Sequence, residues 1–134
     1  MSAIVFAIPG DIDAPTGGYG YDRRLLREWR EAGIEARHLA LPSSFPFPTE
    51  ADFTATEKLL AATAPDDILL VDGLAYGAFP EALAARFADR FVALVHHPLA
   101  LETGHNPAVA TALRRSETLA LRHARAVVAS SPAT

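Results

Sequence analysis

The chain predicts an α/β fold, a doubly wound, Rossmann-like parallel sheet of about five strands with helices on both faces. Two observations carry this reading. Short aliphatic runs recur at residues 3–7, 34–41, 68–71, 91–95 and 126–129, and several are apolar throughout, as strands buried on both faces must be. Helical periodicity fills each interval between them. Strands alternating with helices imply parallel neighbours joined by right-handed crossovers. The simplest arrangement is the strand order 3-2-1-4-5.

The elements follow in order. The first strand, in "AIVFAIPG", ends at a Pro-Gly turn and leads into "DIDAPTGGYGYDRRLLREW". Leu25, Trp29 and Ala32 then recur at i, i+4, i+7, and Gly33 stands where a helix-ending glycine belongs. Trp29, in step with Leu25, reads as core. Thr49 is the expected cap of a second helix whose inner face includes Phe53, Thr56 and Leu60. Phe79, Leu83 and Phe87 mark a third. Asn106 and Pro107 open a fourth as N-cap and first helical residue. The loop "LPSSFPFPTE" is proline-punctuated and reads as extended.

Composition narrows the function classes. The 134 residues form one domain by length, and with 50% hydrophobic and 21% charged residues they can bury a core. A formal net charge of −4 argues against a nucleic-acid protein, because phosphate backbones select for basic faces. The chain has no cysteine, which excludes disulfides, thiolate metal sites and a thiol nucleophile and suits a cytoplasmic location. The opening "MSAIVFAIPG" lacks a basic leader region and reads as a strand rather than a signal peptide. No apolar run approaches the roughly 20 residues that span a bilayer. Arg114, Arg115, Arg122 and Arg125 on the last helix read as a solvated face.

In such a sheet, ligands bind outside the carboxyl ends of the strands. Glycine and polar clusters follow four of the five strands there: residues 9–20, 72–77, 96–104 and 130–131. Nicotinamide binding through G-x-G-x-x-G fails, since the third glycine counted from Gly18 falls on Arg23. There is no phosphate-binding G-x-x-x-x-G-K loop and no G-x-S-x-G nucleophile turn. Gly17 and Gly18 precede a helix, where residues without Cβ let a phosphate approach main-chain N–H groups; they equally serve a plain turn. His96 and His97 end a buried strand, suited to a hydrogen bond to a sugar or to proton transfer, or satisfied by backbone alone. Glu102 and His105 are near in sequence, but their spacing matches no standard zinc pattern. Asp72 and Gly73 contact a ligand or cap a helix. Glu102 shapes an acceptor pocket or closes a loop.

Taken in order, "GGYGYDRRLLREWREAG", "LLVDGLAYG", "LVHHPLALETG" and "ARAVVASSPAT" resemble the N-terminal domain of retaining glycosyltransferases of the GT-B fold, in particular glycosyltransferase family 4. The resemblance implies that Gly17 and Gly18 face the donor's phosphates and that His96 faces the donor sugar as the catalytic-site histidine. His97 stands where the family more often has an acidic residue. Asp72, Gly73, His97 and Glu102 are then acceptor or sugar contacts. The donor is a nucleotide sugar, no metal cofactor is required, and the acceptor lies along residues 42–48 and 97–102. Family members carry a second Rossmann-like domain with an E-x7-E donor motif, which these residues lack. The expectation is therefore an N-terminal fragment of a hexosyltransferase, residues 1–134 forming one domain that is inactive alone. A stand-alone module for a small phosphorylated ligand or a protein partner is the rival. Self-association through the last strand's free edge is expected of either.

Overall fold

The computed structural model describes residues 3–10, 19–95 and 106–129, with Tyr19 described by its backbone alone. Among them run β1 (Ile4–Pro9), α1 (Tyr19–Glu31), β2 (Ala36–Leu41), α2 (Glu50–Ala61), β3 (Ile68–Asp72), α3 (Gly73–Tyr76), α4 (Glu81–Arg86), β4 (Phe91–Val95), α5 (Pro107–His123) and β5 (Ala126–Ala129). The five strands form one all-parallel sheet, as the alternating pattern predicts.

The strand order is 2-1-3-4-5 rather than 3-2-1-4-5. Burial explains the correction. β3, "ILLVD", is apolar along nearly its whole length and takes an interior place between β1 and β4. β2 carries Arg37 and His38 and takes the edge, where Arg37 reaches solvent. The expected order would have buried that arginine and exposed β3. The point where strand order reverses thus lies between β1 and β3.

Alternate side chains feed two cores. On one face Val5, Ala7, Leu69, Val71, Phe91 and Ala93 pack beneath α2 through α5, meeting Leu60, Tyr76, Leu83 and Ala120. On the other, Phe6, Ile8, Leu70 and Leu94 pack beneath Leu26, Leu25 and Trp29 of α1. Trp29 leans on Phe6 with ring centroids 5.8 Å apart, so it is core as the spacing implies. Tyr76 is fully buried, and burial pushes its phenol up to about 12. It therefore stays protonated at neutral pH and donates to the Ala120 carbonyl at 2.5 Å, tying α3 to α5.

Local signals hold at most helix ends. Gly33 follows α1 at φ 80°, a conformation that favours glycine. Thr49 and Asp52 cap α2 reciprocally: the Asp52 N–H donates to Thr49 Oγ1 (3.2 Å), and the Thr49 N–H donates to Asp52 Oδ2 (3.0 Å). Asn106 Oδ1 accepts from the Val109 N–H at 2.8 Å, with Pro107 opening α5. The single third helix expected around Phe79, Leu83 and Phe87 is instead two short helices, α3 and α4. The chain breaks between them at Pro80, which follows the buried Phe79 and supplies no side-chain cap.

The amino edge of the sheet is closed by its own hydrogen bonds. The Asp67 carboxylate accepts from the Ala3 and Ala64 N–H groups, each at 3.1 Å. Arg90 donates to the Asp67 and Ala64 carbonyls and to Thr63 Oγ1. The carboxyl edge carries the loops that sequence singles out.

Candidate functional site

The ends of β1, β3 and β4 meet at this carboxyl edge. Ala7 pairs with Val71, and Asp72 pairs with Leu94, so Pro9, Asp72 and Val95 lie on one rim. Each strand hands the chain to a different solution there.

Gly10, one residue past β1, sits at φ 72°. Its N–H donates to the Leu41 carbonyl at 2.8 Å, which ties the exit of β1 to the end of β2. A Cβ on Gly10 would also lie 3.3 Å from Ser43 Cβ. Only glycine meets both demands without strain. The Pro-Gly turn read from the sequence is thus present, with Gly10 as the residue whose backbone requires glycine.

Asp72 is buried, and its carboxylate accepts from the Leu74 N–H at 2.9 Å as the cap of α3. Gly73 is pressed against the end of β4. A Cβ there would lie 3.0 Å from the Leu94 carbonyl oxygen and 3.4 Å from Val95 Cα. α3 therefore starts in backbone contact with the strand whose next residue in sequence is His96. Of the residues singled out from sequence, Asp72 and Gly73 are placed together on the rim. Gly17, Gly18, His96, His97 and Glu102 lie outside the described residues. The paired glycines immediately precede α1 in sequence, and α1 begins at Tyr19. Asp22 in its first turn is wholly buried, which sets a carboxylate near the positive end of the helix.

The loop after β2 borders the same rim and is pinned from below. The Ser44 hydroxyl donates to Asp52 Oδ2 at 2.6 Å, and the Phe47 N–H donates to the Ser44 carbonyl at 2.8 Å. The Ser44 hydroxyl, and next the Thr49 N–H, hold the Asp52 carboxyl below its usual range. A lowered carboxyl pKa stabilises the fold above the unfolded value near pH 4, and that contribution disappears as pH falls through the folded value. Asp52→Ala is accordingly expected to melt at a lower temperature at pH 7, with the gap from the parent closing as pH drops below about 4. Thermal melts across that range check it; a gap independent of pH would remove the carboxylate from the account.

Chemically, the described part of this edge offers a buried carboxylate that caps α3 and the buried strand end that precedes a histidine pair in sequence. Among the described residues, no group of three or more His, Asp or Glu side chains is placed to hold a metal ion. Nor is any described helix long and apolar enough to cross a membrane. Arg114, Arg115 and Arg122 are exposed on α5, as expected of a solvated face; Arg125, expected on the same helix, is exposed between α5 and β5. Neither the scan of protein-family models nor the search of curated proteins finds a match to this chain.

Proposed function

We propose that this chain is the acceptor-side N-terminal domain of a nucleotide-sugar-dependent retaining glycosyltransferase of GT-B architecture. The observation that supports the reading most directly is the contact of Gly73 with the end of β4. It sets Asp72 and Gly73 beside the strand that leads into His96, at the rim next to the reversal of strand order.

In this reading the sugar C1–oxygen bond to the diphosphate breaks, and a C1–oxygen bond to the acceptor hydroxyl forms with loss of the hydroxyl proton. Main-chain N–H groups around Gly17 and Gly18 receive the departing diphosphate. With Asp22 already near the positive end of α1, that task falls to individual N–H donors more than to net helix charge. His96 donates a hydrogen bond to the donor sugar near its reacting carbon. His97 and Glu102 are assigned to the acceptor in this reading. Asp72 and Gly73 shape the floor between the two substrates.

The test is release of nucleoside diphosphate from nucleotide hexoses by the complete gene product, offered a panel of hydroxyl acceptors. His96→Ala and Gly17→Val are each expected to lower kcat at least tenfold while the melting temperature stays within a degree or two of the parent. A near-normal rate in either variant removes that residue from the site. Absence of acceptor-dependent release from every nucleotide hexose removes the transferase reading.

A further inference from the structure

An open groove of about 340 Å³ lies between the loop after β2 and α5, next to the rim just described. Phe47, Phe53, Ala78, Val109, Ala112 and Leu113 form most of its walls, with Pro46 and Pro48 flanking Phe47. Phe53 packs edge-on against the buried Phe45 at 6.0 Å, which joins the groove to the core. The hydroxyl in its wall, Ser116, is turned away to donate to the Gly77 carbonyl at 2.8 Å. Among the described residues, no ionisable side chain lines it.

We infer that this groove holds the apolar part of an acceptor, an alkyl chain or an aryl ring attached to the hydroxyl that receives the sugar. The inference rests on the transferase reading for the word acceptor, but not for the binding of an alkyl group. Three features select the occupant. Its volume lies in the range of small-molecule sites, whereas a stable protein interface covers about 800 Å² on each partner. Its described walls are apolar and favour a hydrocarbon over a phosphate or a bare sugar, which need charged or hydrogen-bonding partners. Its position is continuous with the rim, because the loop bearing Phe47 starts at Leu41, the residue whose carbonyl holds Gly10. Phe47 is 58% exposed, a large apolar surface at the mouth that an alkyl or aryl group would cover.

The experiment titrates the full chain with methyl, hexyl and octyl glucosides below their micelle concentrations, followed by amide NMR shifts. Affinity is expected to rise about fourfold per added methylene, because each buried CH₂ adds a fixed increment. The shifts should centre on residues 46–53, 78 and 109–116. Ala112→Phe, at an exposed position on α5 that lines the groove, should weaken octyl glucoside at least tenfold. Thr118→Phe, exposed on the same helix but outside the groove, should leave it unchanged. Affinity independent of chain length, or equal loss in both variants, overturns the inference. So does a change in sedimentation on Ala112→Phe with alkyl affinity unaltered, which would make the groove a contact between copies. The same glucosides, offered as acceptors to the complete gene product, separate the two claims. Alkyl binding with no nucleoside diphosphate released to these glucosides or to any other acceptor of the panel leaves the groove and removes the transferase. Transfer without chain-length dependence does the reverse.

Discussion

Phe91→Ala is expected to lower the free energy of unfolding by about 3–5 kcal/mol. Phe91 opens β4 and is fully buried at the centre of an aromatic cluster. Its ring lies 5.3 Å from Tyr76, 5.8 Å from Phe79 and 5.9 Å from Phe87, in tilted and edge-on arrangements. Such pairs contribute roughly 0.5–1.5 kcal/mol beyond the area they bury. Truncation removes three of them together and leaves a void among rings that cannot flex to fill it. Because β3, α3, α4 and β4 converge here, no neighbouring element can close the gap without disturbing another. Against a total stability of about 5–15 kcal/mol this is a large fraction. Urea unfolding, with the midpoint shifted and the slope unchanged, is the measurement. A loss below about 1 kcal/mol would mean that Tyr76 and Phe79 repack into the space.

Gly73→Ala poses a test of sign. By helix propensity alone, alanine in place of a helical glycine stabilises by up to about 1 kcal/mol. Gly73 has no left-handed backbone that would demand glycine. What demands it is the Leu94 carbonyl, 3.0 Å from where the methyl would sit. A backbone atom of an interior strand cannot step aside as a long side chain would. The expected result is therefore a loss of about 1–3 kcal/mol. Gly20→Ala is the control, since its methyl would meet nothing nearer than the Arg23 guanidinium at 3.8 Å. That variant is expected to be neutral or slightly stabilised. Comparing the two melting temperatures decides the matter: equal gains in both would show that α3 does not rest on β4 as closely as the geometry has it. Under the proposed function, Gly73→Ala should also reduce turnover more than its stability loss accounts for, by displacing the end of β4 ahead of His96.

Local chemistry made much of this fold legible. The five runs are strands with ends shifted by at most two residues; for β1, β3 and β4 the reason is that a strand buried on both faces has no polar position to disguise it. Thr49, Asn106, Pro107 and Gly33 mark helix ends through backbone groups within a few residues of themselves. Asp72 is likewise a cap, as its place before a short helix implies. Of the candidate site, residue types and order along the chain could be read directly, since those are properties of the string.

What the string left open depended on comparison between distant segments. The choice of β3 rather than β4 as the second neighbour of β1, with β2 left at the edge, turned on whether Arg37 or "ILLVD" belonged at an edge, a difference in burial that appears only when whole orders are weighed. Nothing near Gly73 announces that Leu94 will press on it from another strand, nor do the residues beside Phe47 announce α5 as the opposite wall of its groove. β5 stands at the edge, as the expected order also had it, and although "AVVA" is wholly apolar, Val127 and Val128, on opposite faces, are both exposed there. The elements were written in the sequence because their causes are local; their neighbours were decided by the tertiary structure, because burial is shared between segments far apart in the chain.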